Sequence, residues 1–519
     1  MWGSNARDAH PIYFHHVLAG LRNGARMYVV DPRRTSSAAF ADVWLGLDVG
    51  SDIALANGVA REIIAAGLVD REFIEHATEG FEEFASAIDH WTLDYTAAVT
   101  GLPPDRIRDF AHEIGHARRL QLCWTLGITE HVTAVDNVLS LINLALLTGN
   151  VGRWGSGLVP LRGQNNVQGG GDMGAIPARL PGFADVTDVG VRARFETAWQ
   201  AVVPEQPGLH LSQMFEAMHA GSLRALWVIG ENPADSEADG EHARRALESL
   251  DLLVVQDLYL TRTAAMADVV LPAAAGWAES EGSVTNSERR VQRVRRAVAP
   301  PGAARDDLAI VFDVARVLGH NWGTPDAEHV WDEVRSVSPN HAGMSYERLE
   351  RHGGIQWPCL DLDDPGTAFL HGRLWERPVG GARAAFHACA WSPPLDHLDP
   401  DFPIRLTTGR VLDGYNTGVQ TARFASPIRS GDTLDLGAAT AAQYRIADGA
   451  RVRVSSRRGA IEMTVRVVDN LPSGLAFTTF HFPEFADVNR LTSDAWDPKS
   501  GTAEFKATAI RVELAEAKP

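Results

Sequence analysis

The run Arg162-Gly-Gln-Asn-Asn-Val-Gln-Gly-Gly-Gly-Asp-Met-Gly174 gathers an arginine, an aspartate, four side-chain amides and five glycines just after an apolar helical pattern. A buried amide loses water and needs protein partners, so such a run is unsuited to a hydrophobic core. It suits a polar ligand, because glycine lets the backbone approach closely. The chain has a formal charge of −18, so a small anionic substrate needs a local positive group. Arg162 is the candidate. A glycine-rich surface loop with scattered amides is the alternative reading.

Two stretches on either side of this run repeat one pattern. In the first, Gly3-Ser-Asn5 precedes a helical segment from Pro11 to Asn23. Then Arg26-Met-Tyr-Val-Val30 reads as a buried strand ending in Asp31, and Asp42-Val43 follows eleven residues later. In the second, the strand Ala225-Leu-Trp-Val-Ile229 runs into Gly230-Glu-Asn232. The strand Leu252-Leu-Val-Val255 then ends in Gln256-Asp257, and Asp268-Val269 follows, again eleven residues on. A Gly-x-Asn turn lets backbone N–H groups face a phosphate at a helix start. A strand-end aspartate accepts bonds from a ribose or purine edge, as in other doubly wound folds. Two such units imply two nucleotide-like ligands or one with two similar arms; the coincidence of two ordinary βαβ units stays open. Only Met1-Trp2 precedes the first turn, so a core strand of the first unit is expected to be missing at the N-terminus.

These motifs need a large α/β body, and 519 residues suggest three or four domains. Composition is that of a soluble globular protein, and the negative balance argues against a nucleic-acid backbone or an anionic membrane as partner. Cys123, Cys359 and Cys389 lie far apart, without a CxxC pair. No disulfide framework, zinc site or four-cysteine cluster is readable from them. Without a signal peptide or an apolar run of membrane-spanning length, the cytoplasm is the expected compartment. Gln121 to Gly127 reads as a buried strand entering a turn, with Cys123 an inert core thiol, and Val135 to Leu147 as a helix. The basic run Glu288 to Arg296 reads as a solvated face beside acidic neighbours. From about Phe402, alternation in Arg451–Val454 and Ile461–Val467 around Ser455-Ser-Arg-Arg-Gly459 signals a β-hairpin, and Leu475–Phe480 and Ala507–Glu513 add strands to a small β-barrel. The fold class is therefore α/β, two related doubly wound dinucleotide-binding units followed by a C-terminal β-barrel. The expected boundaries are 1–163, 164–300, a connecting segment 301–400 and a barrel 401–519. In the connecting segment His341, His352 and His371 lack ligand spacing and read as ordinary groups.

Across almost its whole length the chain resembles the molybdopterin-dependent formate dehydrogenase family, in its catalytic alpha subunit. The landmarks are Gly3-Ser-Asn5…His10-Pro, Val30-Asp-Pro-Arg33, Leu144-Ala-Leu-Leu-Thr-Gly-Asn-Val-Gly152 and Arg162-Gly-Gln-Asn-Asn-Val-Gln168…Asp172-Met-Gly. Further on come Gly230-Glu-Asn-Pro233, Gln256-Asp257, Ala267-Asp-Val-Val-Leu-Pro272, Thr407-Thr-Gly-Arg410, Asn416-Thr-Gly and Asp497-Pro-Lys-Ser-Gly-Thr-Ala-Glu-Phe-Lys506. The resemblance implies two molybdopterin guanine dinucleotides on one molybdenum or tungsten, one per α/β unit, with a barrel covering both. It places Asn5, Asp31, Arg33, Gly50 and Asp52 at one dinucleotide and Gly230, Glu231, Asn232, Gln256 and Asp257 at the other. It places Gly127, Glu130 and Gln164 near the pterins, and Arg410, Tyr415, Asn489 and Lys506 on the barrel, closing over them. Arg162 would orient formate, its planar guanidinium gripping the carboxylate while the C–H faces the metal; a salt bridge at a domain seam is its plainer reading.

The family's Cys-His or selenocysteine-His pair and its N-terminal cysteine motif for a 4Fe–4S cluster lie upstream of the Gly-x-Asn turn and are absent from these 519 residues. No metal ligand is therefore assigned, and electron-transfer subunits or a separately encoded N-terminal part are the implied partners. Three readings stay open: a formate dehydrogenase subunit, a related pterin enzyme acting on another oxyanion such as nitrate or arsenate, and a non-catalytic fragment that holds the pterin cofactor.

Overall fold

The computed structural model describes residues 1–414, 416–418 and 431–515. The chain divides into two units, and neither is continuous in sequence: the first comprises Met1–Leu161, Asp235–Ala243 and Phe369–Pro519, the second Arg162–Ala234 and Arg244–Ala368.

In the first unit the strands Tyr28–Val30 and Val43–Leu45 run parallel, as do Gln121–Trp124 and Gly157–Pro160. Trp2 stands between the two pairs, bridged in parallel to Val30 on one side and Trp124 on the other. These short strands are apolar on both faces, as expected where helices cover a parallel sheet. The helices Asp52–Ala65, Pro104–His116 and Ala134–Leu147 supply that cover. Asp52–Ala65 is buried around nearly its full circumference. It tolerates this because Gly58 brings its backbone against the Thr96 side chain, where a Cβ would stand 2.2 Å from the hydroxyl oxygen, and because the Asn57 amide donates to the Cys389 carbonyl at 2.9 Å.

The same unit carries a closed six-stranded barrel. Its strands follow the order Ile404–Thr408, Leu475–Thr478, Thr433–Gly437, Ala460–Val468, Arg451–Ser455, Thr508–Leu514. Closure removes exposed strand edges, and alternation places Leu406, Leu434, Val452, Val454, Val465 and Ile510 in its core. The expected hairpin is present, with Arg451–Ser455 antiparallel to Ala460–Val468.

In the second unit Leu252–Asp257 lies between Ala225–Ile229 and Val269–Pro272, all parallel. A separate antiparallel hairpin joins Gly282–Thr285 to Arg290–Val294, and Ile355–Gln356 adds a third strand. The basic run is that hairpin's second strand, and its arginines meet carboxylates: Arg290 with Glu288 at 2.8 Å, Arg293 with Glu281 at 3.3 Å, and Arg295 with Glu350.

The amide-rich run differs in part from a loop. Val167–Asp172 forms a short helix despite three glycines. Asn166 starts it with a left-handed φ of 63°, a conformation asparagine tolerates, and its Oδ1 accepts from the Thr285 backbone N–H at 2.9 Å. Among the described residues no helix is long and apolar enough to cross a membrane.

Candidate functional site

The two repeat units are geometrically equivalent at their strand ends. Asp42 accepts the Met27 backbone N–H at 2.7 Å, and Asp268 accepts the Leu253 N–H at 2.7 Å, each reaching back 15 residues. The registers agree as well, with Tyr28 opposite Val43 and Val254 opposite Val269. Asp31 and Asp257 occupy matching strand ends. Asp31 accepts from the Arg33 N–H at 2.9 Å, and Asp257 from the Leu258 and Tyr259 N–H groups at 2.6 and 3.4 Å. Burial raises the carboxyl pKa of both, opposed for Asp31 by the Arg33 guanidinium and for Asp257 by its backbone bonds.

Around Asp31 the first unit assembles several predicted residues. Asn5 accepts the Ser37 N–H at 3.1 Å and donates to Asp8 at 2.8 Å, tying the first turn to Ser36-Ser37. Arg33 lies 3.6 Å over the Phe477 ring, joining the strand-end turn to the barrel. Gly50 takes a left-handed φ of 81°, and a Cβ there would stand 2.6 Å from Pro394. Asp52 is buried and accepts the Trp2 indole N–H at 2.7 Å; burial raises its pKa.

At Gly127 a Cβ would come within 2.4 Å of the Gly3 carbonyl oxygen, so the two turns meet backbone to backbone. Glu130 pairs with Lys506 at 2.6 Å, and the Lys506 ammonium also donates to the Thr408 carbonyl at 3.1 Å. Arg410 donates to Asn416 at 2.6 Å. Asn489 donates to the Asp235 carbonyl at 2.8 Å. Tyr415 lies outside the described residues.

The second unit builds the other turn. Gly230 has a φ of 64° with open space where a Cβ would project, and its N–H donates to the Gln256 carbonyl at 2.8 Å. Asn232 is buried and accepts from the Thr263 N–H and hydroxyl at 3.1 and 2.8 Å. The Glu231 carboxylate accepts the Asn232 N–H at 2.9 Å. Gln256 donates to Asp307 at 2.5 Å. Gln164 and Arg162 are both exposed, and the Arg162 Nε–H donates to the Gln168 side-chain Oε1 at 2.7 Å.

Sequence reasoning gave no role to His131 or Glu504. The imidazole Nδ1 lies 2.9 Å from the Glu504 carboxylate and Nε2 3.2 Å from the Gly127 carbonyl. Two acceptors on one ring call for the doubly protonated form. The pKa is accordingly raised: burial opposes the charge, but the Glu504 bond and charge outweigh it, with Asp52 adding and Lys506 subtracting. The available signal was adjacency, since His131 follows Glu130 and Glu504 precedes Lys506 by two residues.

The residues suit polyanionic pterin dinucleotides. Among the described residues, Ser4 Oγ in the first turn and Gln256 Oε1 beside the second belong to the buried side-chain atoms that have no hydrogen-bond partner in the protein, which a ligand's polar groups would complete. Arg33 and Lys506 supply local positive charge, and glycines open both turns.

Residues 1–317 match the molybdopterin oxidoreductase family and residues 404–509 the molydopterin dinucleotide binding domain. The chain is 41% identical to the F420-dependent formate dehydrogenase 2 subunit alpha of Methanococcus maripaludis, over 99% of this chain and 75% of that protein. It is 35% identical to formate dehydrogenase H of Escherichia coli, over 99% of this chain and 72% of the other. The assimilatory nitrate reductase catalytic subunit of Bacillus subtilis is 33% identical over 98% and 73%. Among solved structures, acetylene hydratase from Pelobacter acetylenicus shares the fold with a TM-score of 0.74 at 19% identity, covering 97% of this chain and 76% of that one. Matched turns, a closed barrel and these relatives agree: the chain belongs to the molybdopterin oxidoreductase family and is a formate-dehydrogenase-like enzyme of it.

Proposed function

We propose that this chain is the pterin-binding body of an enzyme that oxidises formate to carbon dioxide, a proton and two electrons. Two molybdopterin guanine dinucleotides on one molybdenum or tungsten ion would supply the two-electron acceptor. Asn5, Asp31, Arg33, Gly50 and Asp52 would hold one dinucleotide; Gly230, Glu231, Asn232, Gln256 and Asp257 would hold the other. Gly127, Glu130 and Gln164 would face the pterins, with Arg410, Tyr415, Asn489 and Lys506 from the barrel. Buried cations and backbone N–H groups offset phosphate charge that a chain of −18 would otherwise repel.

Arg162 is the substrate-binding residue. A guanidinium presents paired N–H donors to a carboxylate and fixes its plane, which aims the single C–H bond. The observation that carries this reading is Arg162 at the head of an exposed polar segment, oriented through Nε by Gln168, in a chain 41% identical to a formate dehydrogenase alpha subunit. The electrons would leave through iron–sulfur groups of an electron-transfer partner.

The nitrate reductase likeness gives a second reading, reduction of an oxyanion at the same arginine. Steady-state assays of the cofactor-loaded protein with a redox dye separate the two. Dye reduction by formate supports the first reading. Nitrate-dependent dye oxidation without formate turnover assigns the second.

A further inference from the structure

The Arg162 guanidinium is the first member of a chain of side-chain hydrogen bonds that ends at a residue far away in sequence. Its Nε–H donates to Gln168 Oε1 at 2.7 Å, Gln168 Nε2 donates to Asp172 Oδ1 at 2.7 Å, and the Trp357 indole N–H donates to Asp172 Oδ2 at 2.7 Å. Gln168 and Asp172 are four residues apart on the helix Val167–Asp172 and so share a face. The far end is anchored. Arg289 lies 5.3 Å over the Trp357 ring and donates to the Trp357 and Thr367 carbonyls. The Asp172 carbonyl accepts the Gly182 and Phe183 N–H groups at 2.7 and 3.1 Å.

The direction of every bond follows from Asp172. An ionised carboxylate only accepts. Gln168 must therefore turn its NH2 group toward Asp172, and this turns its carbonyl toward Arg162. Trp357, an obligate donor, occupies the second carboxylate oxygen.

We propose that Gln168, Asp172 and Trp357 are positioning residues that orient Arg162 toward the substrate carboxylate, with Asp172 setting the polarity of the chain. This rests on Arg162 being the formate-binding residue. It makes a distinctive demand of Asp172→Asn. Trp357 takes the single amide oxygen of Asn, so the Asn NH2 faces Gln168. Gln168 must then reverse and place its own NH2 against the Arg162 Nε–H, and the arginine loses its brace. Trp357→Phe removes the competing donor, letting Asn turn its oxygen back to Gln168.

The test uses the cofactor-loaded enzyme with formate and a redox dye, with metal and pterin content measured for each variant. Asp172→Asn is expected to raise KM for formate about tenfold to a hundredfold, more than it lowers kcat, with cofactor content unchanged. Adding Trp357→Phe is expected to restore most of the loss. Gln168→Met, which leaves the Asp172–Trp357 bond intact, is expected to raise KM similarly. In an Arg162→Ala background neither Asp172→Asn nor Gln168→Met should have further effect. An unchanged KM in Asp172→Asn and Gln168→Met, no recovery with Trp357→Phe, or an undiminished effect in the Arg162→Ala background overturns the brace. Unaltered formate kinetics in Arg162→Ala alone would instead refute the substrate role of Arg162.

Discussion

Asp42 and Asp268 make the same bond in the two repeat units: each carboxylate caps a backbone N–H 15 residues earlier, Met27 and Leu253 respectively, at 2.7 Å. The bond fixes the start of one parallel strand to the start of the next. Either aspartate replaced by alanine leaves one strand N–H without its partner, at roughly 1 kcal/mol in stability. Thermal unfolding of each single variant and of the pair checks this. The two aspartates share no hydrogen-bond partner, so the double variant should show nearly the sum of the two losses.

Substitution of Gly127 by alanine places a methyl carbon 2.4 Å from the Gly3 carbonyl oxygen. Neither backbone can yield without moving a predicted pterin-binding turn. The expected result is a loss of about 1–3 kcal/mol together with reduced cofactor content in the purified protein. Gly67, where a Cβ meets nothing within 4 Å but φ is 69°, is the control: its alanine variant carries backbone strain only and should keep its cofactor.

The His131–Glu504 pair gives the first unit a pH dependence of stated sign. The folded pKa of His131 is raised, so its stabilising contribution is complete below the ordinary imidazole value and fades as pH rises through the raised value. Glu504→Gln removes the anion from a buried imidazolium and should cost about 3–5 kcal/mol where the ring is charged. Denaturant unfolding of wild type and variant across pH 6 to 9, at roughly unit steps around the ordinary imidazole value, measures the difference. A gap that stays constant across that range would rule the ion pair out as its source.

His341 works in the opposite direction. Its ring is buried, with Nδ1 2.7 Å from the Ser338 hydroxyl, and burial lowers its pKa from 6.5 to about 4. The unfolded chain takes up a proton that the folded state refuses, so stability is full above 6.5 and falls as pH drops toward 4. The loss amounts to about 3 kcal/mol across that window. His341→Gln should flatten this acid limb, as read by melting temperature against pH.

Features encoded in short segments were legible in the sequence: both strand-end aspartates, the Gly-x-Asn turns, the barrel hairpin and the polar run at Arg162. Each depends on neighbours within a few residues, where periodicity and turn chemistry act. The pairs that complete the site do not. His131 and Glu504 stand 373 residues apart, and Asp172 and Trp357 stand 185 apart, so no local pattern joins them. The helix at Val167–Asp172 was hidden for another reason. Three glycines argue against a helix, and its start depends on Asn166 bonding a strand more than a hundred residues away.

The division of the chain has a consequence for its synthesis. Residues 1–161 belong to the same unit as 369–519, and ribosomes emit the chain from one end. At about 5–20 residues per second, the segment from 162 to 368 takes roughly 10–40 s to emerge. For that interval the Phe477 face that receives Arg33, the Glu504 partner of His131 and the Lys506 partner of Glu130 do not yet exist. The nascent first segment therefore completes none of these contacts until the last hundred residues arrive.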